Sequence, residues 1–402
     1  MERHERRNTM TPMIEPDTGF FDPEACDLSM FEALIDQTTD LVSLPHAAEV
    51  QHNVPIYDVA ALRDALNVKG TRRQIMAEWA HVLKSGAGII VLRGAYADTA
   101  VLDDATAVYE RIIAAEKKAN GGGGDHFAAA GSNDRIWNSL QKLCETAPEV
   151  FLHYFANTAI AAASEAWLGP NYQMTAQINL VHPGGGAQLA HRDYHLGFQT
   201  ADISADYPTH VHDLSPALTL QGAVAHCDMP VESGPTKLLP FSQLYRAGYT
   251  AWRRDDFRTS FEERYIQLPL AKGDALFFNP AVFHAAGANT SPDIHRMANL
   301  LQVSSAFGRA METCDRQKMC NLLYPIAKEA QRTATLNPHE MAAAIASSAE
   351  GYSFPTNLDR DPPKGGLAPE TQAAFFTRAL DAGMGADDFA SHLETMRLNH
   401  QA

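Results

Sequence analysis

QINLVHPGGGAQLAHRD, residues 177–193, decides the fold. Its first five residues alternate imperfectly between polar and apolar, as a strand does with one face in a core and the other along a pocket. Pro183 and the three glycines that follow break that strand into a turn. The chain then resumes as His191-Arg192-Asp193, and in extended backbone residues i and i+2 share a face, so His191 and Asp193 can aim at one point. A third side chain must come from elsewhere. His284 is the best candidate, because it follows a second apolar run, GDALFFNPAVF (273–283).

Working outward, short β-rich runs fill the stretch from Tyr172 to Phe307: YQMTAQINLVH, ALTLQGAVAHCDM, TKLLPF, YIQLPLAKGDALFF and MANLLQVSSAF, divided by Gly, Pro and Asp clusters. Several short strands separated by turns predict a sandwich or barrel. The flanks read as helix. TRRQIMAEWAHVLK (71–84) and DDATAVYERIIAAEKKA (103–119) place apolar residues every three or four positions. GAGIIVLRG (86–94) is a buried strand within that helical half, and Gly121–Gly124 end a helix. DHFAAAGSNDRIWNSLQ then reads as loop followed by a helix with Ile136, Trp137 and Leu140 facing the core. Past Cys314 helices return through NLLYPIAKEAQR, an Ala-rich stretch from Pro338, a Pro/Gly loop at 361–369 and an amphipathic run from Pro369 to about Leu398. The expected fold is therefore a mostly β core with flanking helices.

Composition narrows the function classes. The 402 residues are 45% hydrophobic and 20% charged, ordinary for a folded protein with ample core. With 32 Lys and Arg against 48 Asp and Glu, a net charge of −16 argues against binding to nucleic acid or an anionic membrane surface, and an anionic substrate would need a local basic pocket. Five scattered cysteines without a CxxC pair give neither a thiolate zinc site nor a disulfide framework, which points to the reducing cytoplasm. No stretch reads as a signal peptide or membrane span.

Two imidazoles and one carboxylate on one face of an ion suit ferrous iron, because three coordination positions stay open for reactants. A His and an Asp two apart are a common chance spacing. The order is more specific: HxD, about a hundred residues, a His, and an Arg about ten residues further, Arg296, with β-rich runs around each. On QINLVHPGGGAQLAHRD, VESGPTKLLPFSQ and GDALFFNPAVFHAAGANTSPDIHRMANLLQVS the chain resembles the phytanoyl-CoA dioxygenase family, including its ectoine hydroxylase branch, over roughly Tyr172 to Phe307.

The resemblance implies a double-stranded β-helix, or jelly roll, in which His191, Asp193 and His284 hold Fe(II). It further implies that Arg296 pairs with the far carboxylate of the cosubstrate 2-oxoglutarate, a bidentate match that Lys would not copy. Dioxygen (O2) would be the oxidant, with release of succinate and CO2 and hydroxylation or another oxidation of a small molecule. Gln177, Asn179 and Thr236 are candidates to hydrogen-bond the cosubstrate. Related iron halogenases lack the carboxylate that Asp193 supplies, so oxygenation is favoured over halogenation. Two positions depart from the family pattern: Pro240-Phe241-Ser242-Gln243 stands where Pro-Gly-Ser-His is frequent, and Ala286 replaces a small hydroxyl residue. Tyr194, His195, Phe198, His126, Arg135 and Trp137 are candidates for the mouth of the pocket.

The domain organisation expected is an extension at 1–30 and one catalytic domain at 31–402, made of a helical layer (31–171), a jelly-roll core (172–307) and C-terminal helices (308–402). Two rivals remain at this point. A cupin-like metal enzyme would not need Arg296 or 2-oxoglutarate, and a non-catalytic ligand sensor would have no physical reason to keep three convergent ligands.

Overall fold

The computed structural model describes residues 19–120, 132–353 and 357–401. Ten strands form in chain order: β1 (Glu49–Gln51), β2 (Val54–Asp58), β3 (Ile89–Arg93), β4 (Asn133–Ile136), β5 (Gln173–Val181), β6 (Thr219–Ala225), β7 (Lys237–Leu239), β8 (Ala275–Phe278), β9 (Phe283–Ala285) and β10 (Arg296–Ser304). Eight make one sheet in the order β1-β2-β3-β8-β6-β10-β5-β4, antiparallel except for the β2–β3 pair. The second sheet is β7 with β9. Isolated bridges widen it, His191 to His284 beyond β9 and Leu238 to Ile266 beyond β7. Two sheets rolled about a common interior are the jelly roll expected from the sequence.

The period-two pattern of the central strands sorts their side chains between two environments. On β10, Met297, Leu301 and Val303 join the core under the helices, while Arg296, Ala298, Leu300 and Gln302 line a cavity between the sheets. Its neighbours repeat the division: Ala176 and Ile178 against Gln177 and Asn179 on β5, Leu220 and Val224 against Gln221 and Ala223 on β6. Register aligns these faces, since Leu300 lies opposite Gln177 on one side and Ala223 on the other. A one-residue slip would exchange the two sets, so burial of the helix-facing set fixes the polar set in the cavity.

That core is closed by helices that supply Trp79, Tyr109, Phe151, Tyr154 and Tyr324, all fully buried. The expected helices at 71–84 and 103–119 form as Lys69–Ser85 and Ala100–Asn120. Fifteen α-helices accompany the ten strands among the described residues, so "mostly β" describes the core and not the whole chain. Two local readings are corrected. Residues 133–136 are strand, not helix, because pairing with β5 captures them, and the helix begins only at Ser139. The C-terminal run is two helices, Gln372–Asp381 and Ala386–Asn399, parted where Gly383 takes a φ of +64°.

Candidate active site

His191 and His284 are brought together by the backbone. Each donates its N–H to the other's carbonyl at 3.0 Å, which makes the antiparallel bridge that sets their rings 4.4 Å apart between centroids. Beyond the bridge the chain leaves the sheet, yet the Asp193 N–H still bonds the Pro280 carbonyl at 3.1 Å, which keeps its carboxylate on the same side as His191. One ligand atom from each of His191, Asp193 and His284 lies within 4.8 Å of the other two. Among the described residues no other group of His, Cys, Asp and Glu converges in this way.

The donor set is prepared for a cation. Nδ1 of His191 bonds the Leu189 carbonyl at 2.8 Å and Nδ1 of His284 the Val282 carbonyl at 2.9 Å. A carbonyl only accepts, so Nδ1 carries the proton and Nε2 is left with its lone pair. Burial, and then the neighbouring His284, hold His191 below the usual imidazole range, with Asp193 opposing. Burial pushes the Asp193 carboxyl up, but hydrogen bonding to His284, the charges of both histidines and the Gln221 amide outweigh it and leave the group at about 2. The result is an ionised Asp193 carboxylate beside an imidazole, His191, that gives up its extra proton readily, both of which favour metal binding. Nε2 of His284 stands 3.6 Å from Asp193 Oδ2, close enough for one ion to serve both.

Supporting groups lock this arrangement. Gln221, on β6, donates from Nε2 to Asp193 Oδ2 at 2.7 Å, and the Tyr249 hydroxyl donates to the Asp193 carbonyl at 2.7 Å. Arg192 turns away from the cavity and is almost completely buried, its Nη2 donating to the carbonyls of Ser242 and Tyr245 at 2.5 and 2.8 Å. Ser242 also accepts the Phe283 N–H at 2.8 Å, so the departing Pro-Phe-Ser-Gln motif still holds the strand of His284. Opposite Ala286, Gln188 bonds that residue's backbone in both directions, at 3.0 and 3.3 Å.

The triad, Gln221, Gln188 and Ala286 face one cavity of about 780 Å³, an ordinary size for a small-molecule site. Arg296, Gln177, Asn179 and Thr236 line it with the triad. Arg296 is 6% exposed, and its Nη1 donates to the Ser233 carbonyl at 3.2 Å. No carboxylate pairs with it among the described residues, and burial pulls its guanidinium down to about 10. Gln177 bridges Arg135 Nη1 at 3.1 Å and the Met311 sulfur at 2.9 Å, and Asn179 accepts from Asn133 at 3.2 Å.

Of the residues expected at the mouth, Phe198, Arg135 and Trp137 line the cavity, Arg135 resting 5.1 Å from the Trp137 ring centroid. The core reading of Trp137 is thus corrected, since β4 and not a helix carries the chain past the cavity, while Ile136 and Leu140 are core. His126 lies outside the described residues. His212 and His226 bond protein groups and belong to no metal-binding cluster. Sequence reasoning missed Gln221, Trp252, Arg253, Arg258 and Met311, all on the cavity wall. For Gln221 the signal was available: an amide inside a strand otherwise built of apolar and small residues, TLQGAVA.

Residues 85–298 match the phytanoyl-CoA dioxygenase (PhyH) family, over more than half of the chain. The chain belongs to the phytanoyl-CoA dioxygenase family. It is therefore an oxidoreductase of the non-haem iron, 2-oxoglutarate-dependent class, with dioxygen as oxidant. Among solved structures, it is similar to SnoN, the non-haem alpha-ketoglutarate-dependent epimerase of nogalamycin biosynthesis, at 20% identity and a TM-score of 0.43, over 58% of this chain and 84% of that one. The carbocyclase SnoK from the same biosynthesis gives 21% identity and 0.39 over 57% and 83%. EvdMO1 gives 15% and 0.40 over 57% and 50%. No curated protein matches the chain in sequence. No described helix is long and apolar enough to cross a membrane.

Proposed function

We propose that this family member oxidises a small organic substrate, by hydroxylation or a related two-electron oxidation, with His191, Asp193 and His284 holding Fe(II) and Arg296 anchoring 2-oxoglutarate. The observation that carries the proposal is one cavity containing both a two-histidine, one-carboxylate cluster and a buried guanidinium that has no counter-ion among the described residues. A buried charge without a partner is costly, and a bound dicarboxylate would relieve that cost while fixing its own orientation through the planar fork. When bound, the iron and its cosubstrate supply the oxidative chemistry, with succinate and CO2 as the co-products.

The remaining work belongs to the chain's own side chains. Gln221 holds the Asp193 carboxylate, and the Leu189 and Val282 carbonyls fix the two imidazole tautomers. Gln177, Asn179 and Thr236 offer polar contacts for the cosubstrate in the same cavity. Leu268, Leu270, Leu276 and Phe278 line the cavity with apolar surface, which limits the water that would quench a reactive species. The ionised Asp193 is the feature that favours oxygenation over halogenation. We further read residues 31–402 as one catalytic unit and, from the five free cysteines, place it in the cytoplasm.

An anaerobic titration tests the reading. Adding Fe(II) and then 2-oxoglutarate should raise the weak visible charge-transfer band of the chelate. At moderate 2-oxoglutarate the band should be lost in Arg296→Ala and return at high concentration, whereas His191→Ala should not develop it at any concentration. A parent protein with no band would favour a ligand sensor on the same scaffold.

A further inference from the structure

Trp252 stands at the edge of the cavity, its ring centroid 6.3 Å from that of His191. Two guanidiniums lie against the same indole, Arg253 at 3.9 Å and Arg258 at 5.7 Å from the ring centroid. Both arginines also line the cavity. The chain as a whole is acidic, with a net charge of −16, yet this corner gathers two cations.

Their possible partners are few. Arg253 donates from Nη2 to the Gly197 carbonyl at 3.1 Å and has no ion pair among the described residues. Arg258 reaches only Asp255, at 3.8 Å, and that carboxylate is fully exposed. Asp256 is engaged through both oxygens by Arg254, which points away to the carbonyls of Pro23 and Cys26. Nη1 of Arg253, Nε of Arg258 and Nε1 of Trp252 are buried donors with no acceptor among the described residues. Two guanidiniums against one indole at the cavity wall, with no buried carboxylate beside them among the described residues, make a corner that an anion would complete. Burial, and then the charge of Arg258, pull the Arg253 guanidinium below its ordinary range, as expected where like charges are packed together.

We propose that Arg253 and Arg258, stacked on Trp252, bind an anionic group, carboxylate or phosphate, of the molecule that is oxidised. The site is separate from Arg296, so the cavity grips two anions: the cosubstrate by Arg296 and the substrate by this pair. The apolar wall between would take the aliphatic part of the substrate, and an exposed Phe198 flanks the same entrance. This inference rests on the iron and 2-oxoglutarate reading above.

The test uses the full chain, loaded anaerobically with Fe(II) and 2-oxoglutarate so that Arg296 is engaged, and calorimetric titration with four probes that share an eight-carbon chain. Octanoate or octyl phosphate should bind at least about tenfold more tightly than octanol, and octyltrimethylammonium should bind more weakly than octanol. Whichever anion binds better identifies the carboxylate or the phosphate class. In Arg253→Gln/Arg258→Gln the anion should fall to the affinity of octanol, and Arg253→Lys/Arg258→Lys should recover part of the difference. Equal affinities across the parent's probes, no binding of any probe, or an anion preference that survives the double Gln variant would each overturn the proposal. The parent's probe series decides alone if the double variant does not fold. The visible band is recorded before each titration: its absence sinks the iron reading, whereas its presence without an anion preference sinks only the inference drawn from Arg253 and Arg258.

Discussion

Gly248 offers the sharpest test of how the His-x-Asp step is held. It opens a short helix, Gly248–Ala251, and a Cβ built on it would stand 2.0 Å from Cζ of Arg192, with Nη1 and Nε at 2.3 and 2.4 Å. Arg192 is the middle residue of the step, and its guanidinium is pinned by the Ser242 and Tyr245 carbonyls. Gly248→Ala must therefore move a buried cation off two acceptors. Each hydrogen bond from a charged donor is worth about 1.5–3 kcal/mol, so losing the two gives an expected cost of about 3–6 kcal/mol. Helix propensity alone would give the opposite sign, since Ala is favoured over Gly by up to about 1 kcal/mol. Urea denaturation of a double-mutant cycle reads the coupling: after Arg192→Ala the clash is gone, and Gly248→Ala should then cost less than about 1 kcal/mol. The reasoning fails if Gly248→Ala is neutral in the parent, or if it costs the same with and without Arg192.

Further expectations follow from neighbouring contacts. Gln221→Leu removes the amide that holds Asp193 at 2.7 Å and should weaken Fe(II) binding about 10- to 100-fold in an anaerobic titration; unchanged affinity would show the amide to be idle. His226 is buried, bonded by Thr106 and Tyr154 at 2.8 Å each, and burial pulls it from 6.5 to about 3. Its folded pKa lies below its unfolded value, so the unfolded chain takes up the proton first and stability falls as pH drops from about 6.5 towards 3. Between pH 7.5 and 4.5 this one group should cost about 2–3 kcal/mol, and His226→Gln should flatten that part of the urea-stability profile; an equal slope in both proteins would contradict it. Saturating Fe(II) at a hundred times its dissociation constant should stabilise the fold by about 2.7 kcal/mol, an effect that a chelator reverses and that Asp193→Ala should lack.

The parts of the site legible in the sequence were those written as order and spacing. His191, Asp193 and His284 could be set together from the His-x-Asp step and the apolar run before His284, whereas the role of Arg296 and the rolled fold came from the resemblance to the phytanoyl-CoA dioxygenase family. Alternation in QINLV likewise separated Gln177 and Asn179 from the core-facing Ile178. What stayed hidden depends on tertiary pairing. β4 is four residues long and owes its extended form to β5, so its helix-like composition misled. The β1–β2 hairpin turns at His52 and Asn53, both with positive φ, without the glycine that would have flagged it. Trp252, Arg253 and Arg258 match no motif in the sequence, and only the packing of Trp252 beside His191 gives them a place in the cavity.

The central claim is that two imidazoles and a carboxylate share one ion beside an arginine that awaits a dicarboxylate. Crystals grown anaerobically with Fe(II) and 2-oxoglutarate, measured across the iron absorption edge, test it most directly. The account predicts one anomalous peak within bonding distance of Nε2 of His191, a carboxylate oxygen of Asp193 and Nε2 of His284, with the cosubstrate's far carboxylate on Arg296. A peak elsewhere, or a cosubstrate that leaves Arg296 unpaired, would contradict it.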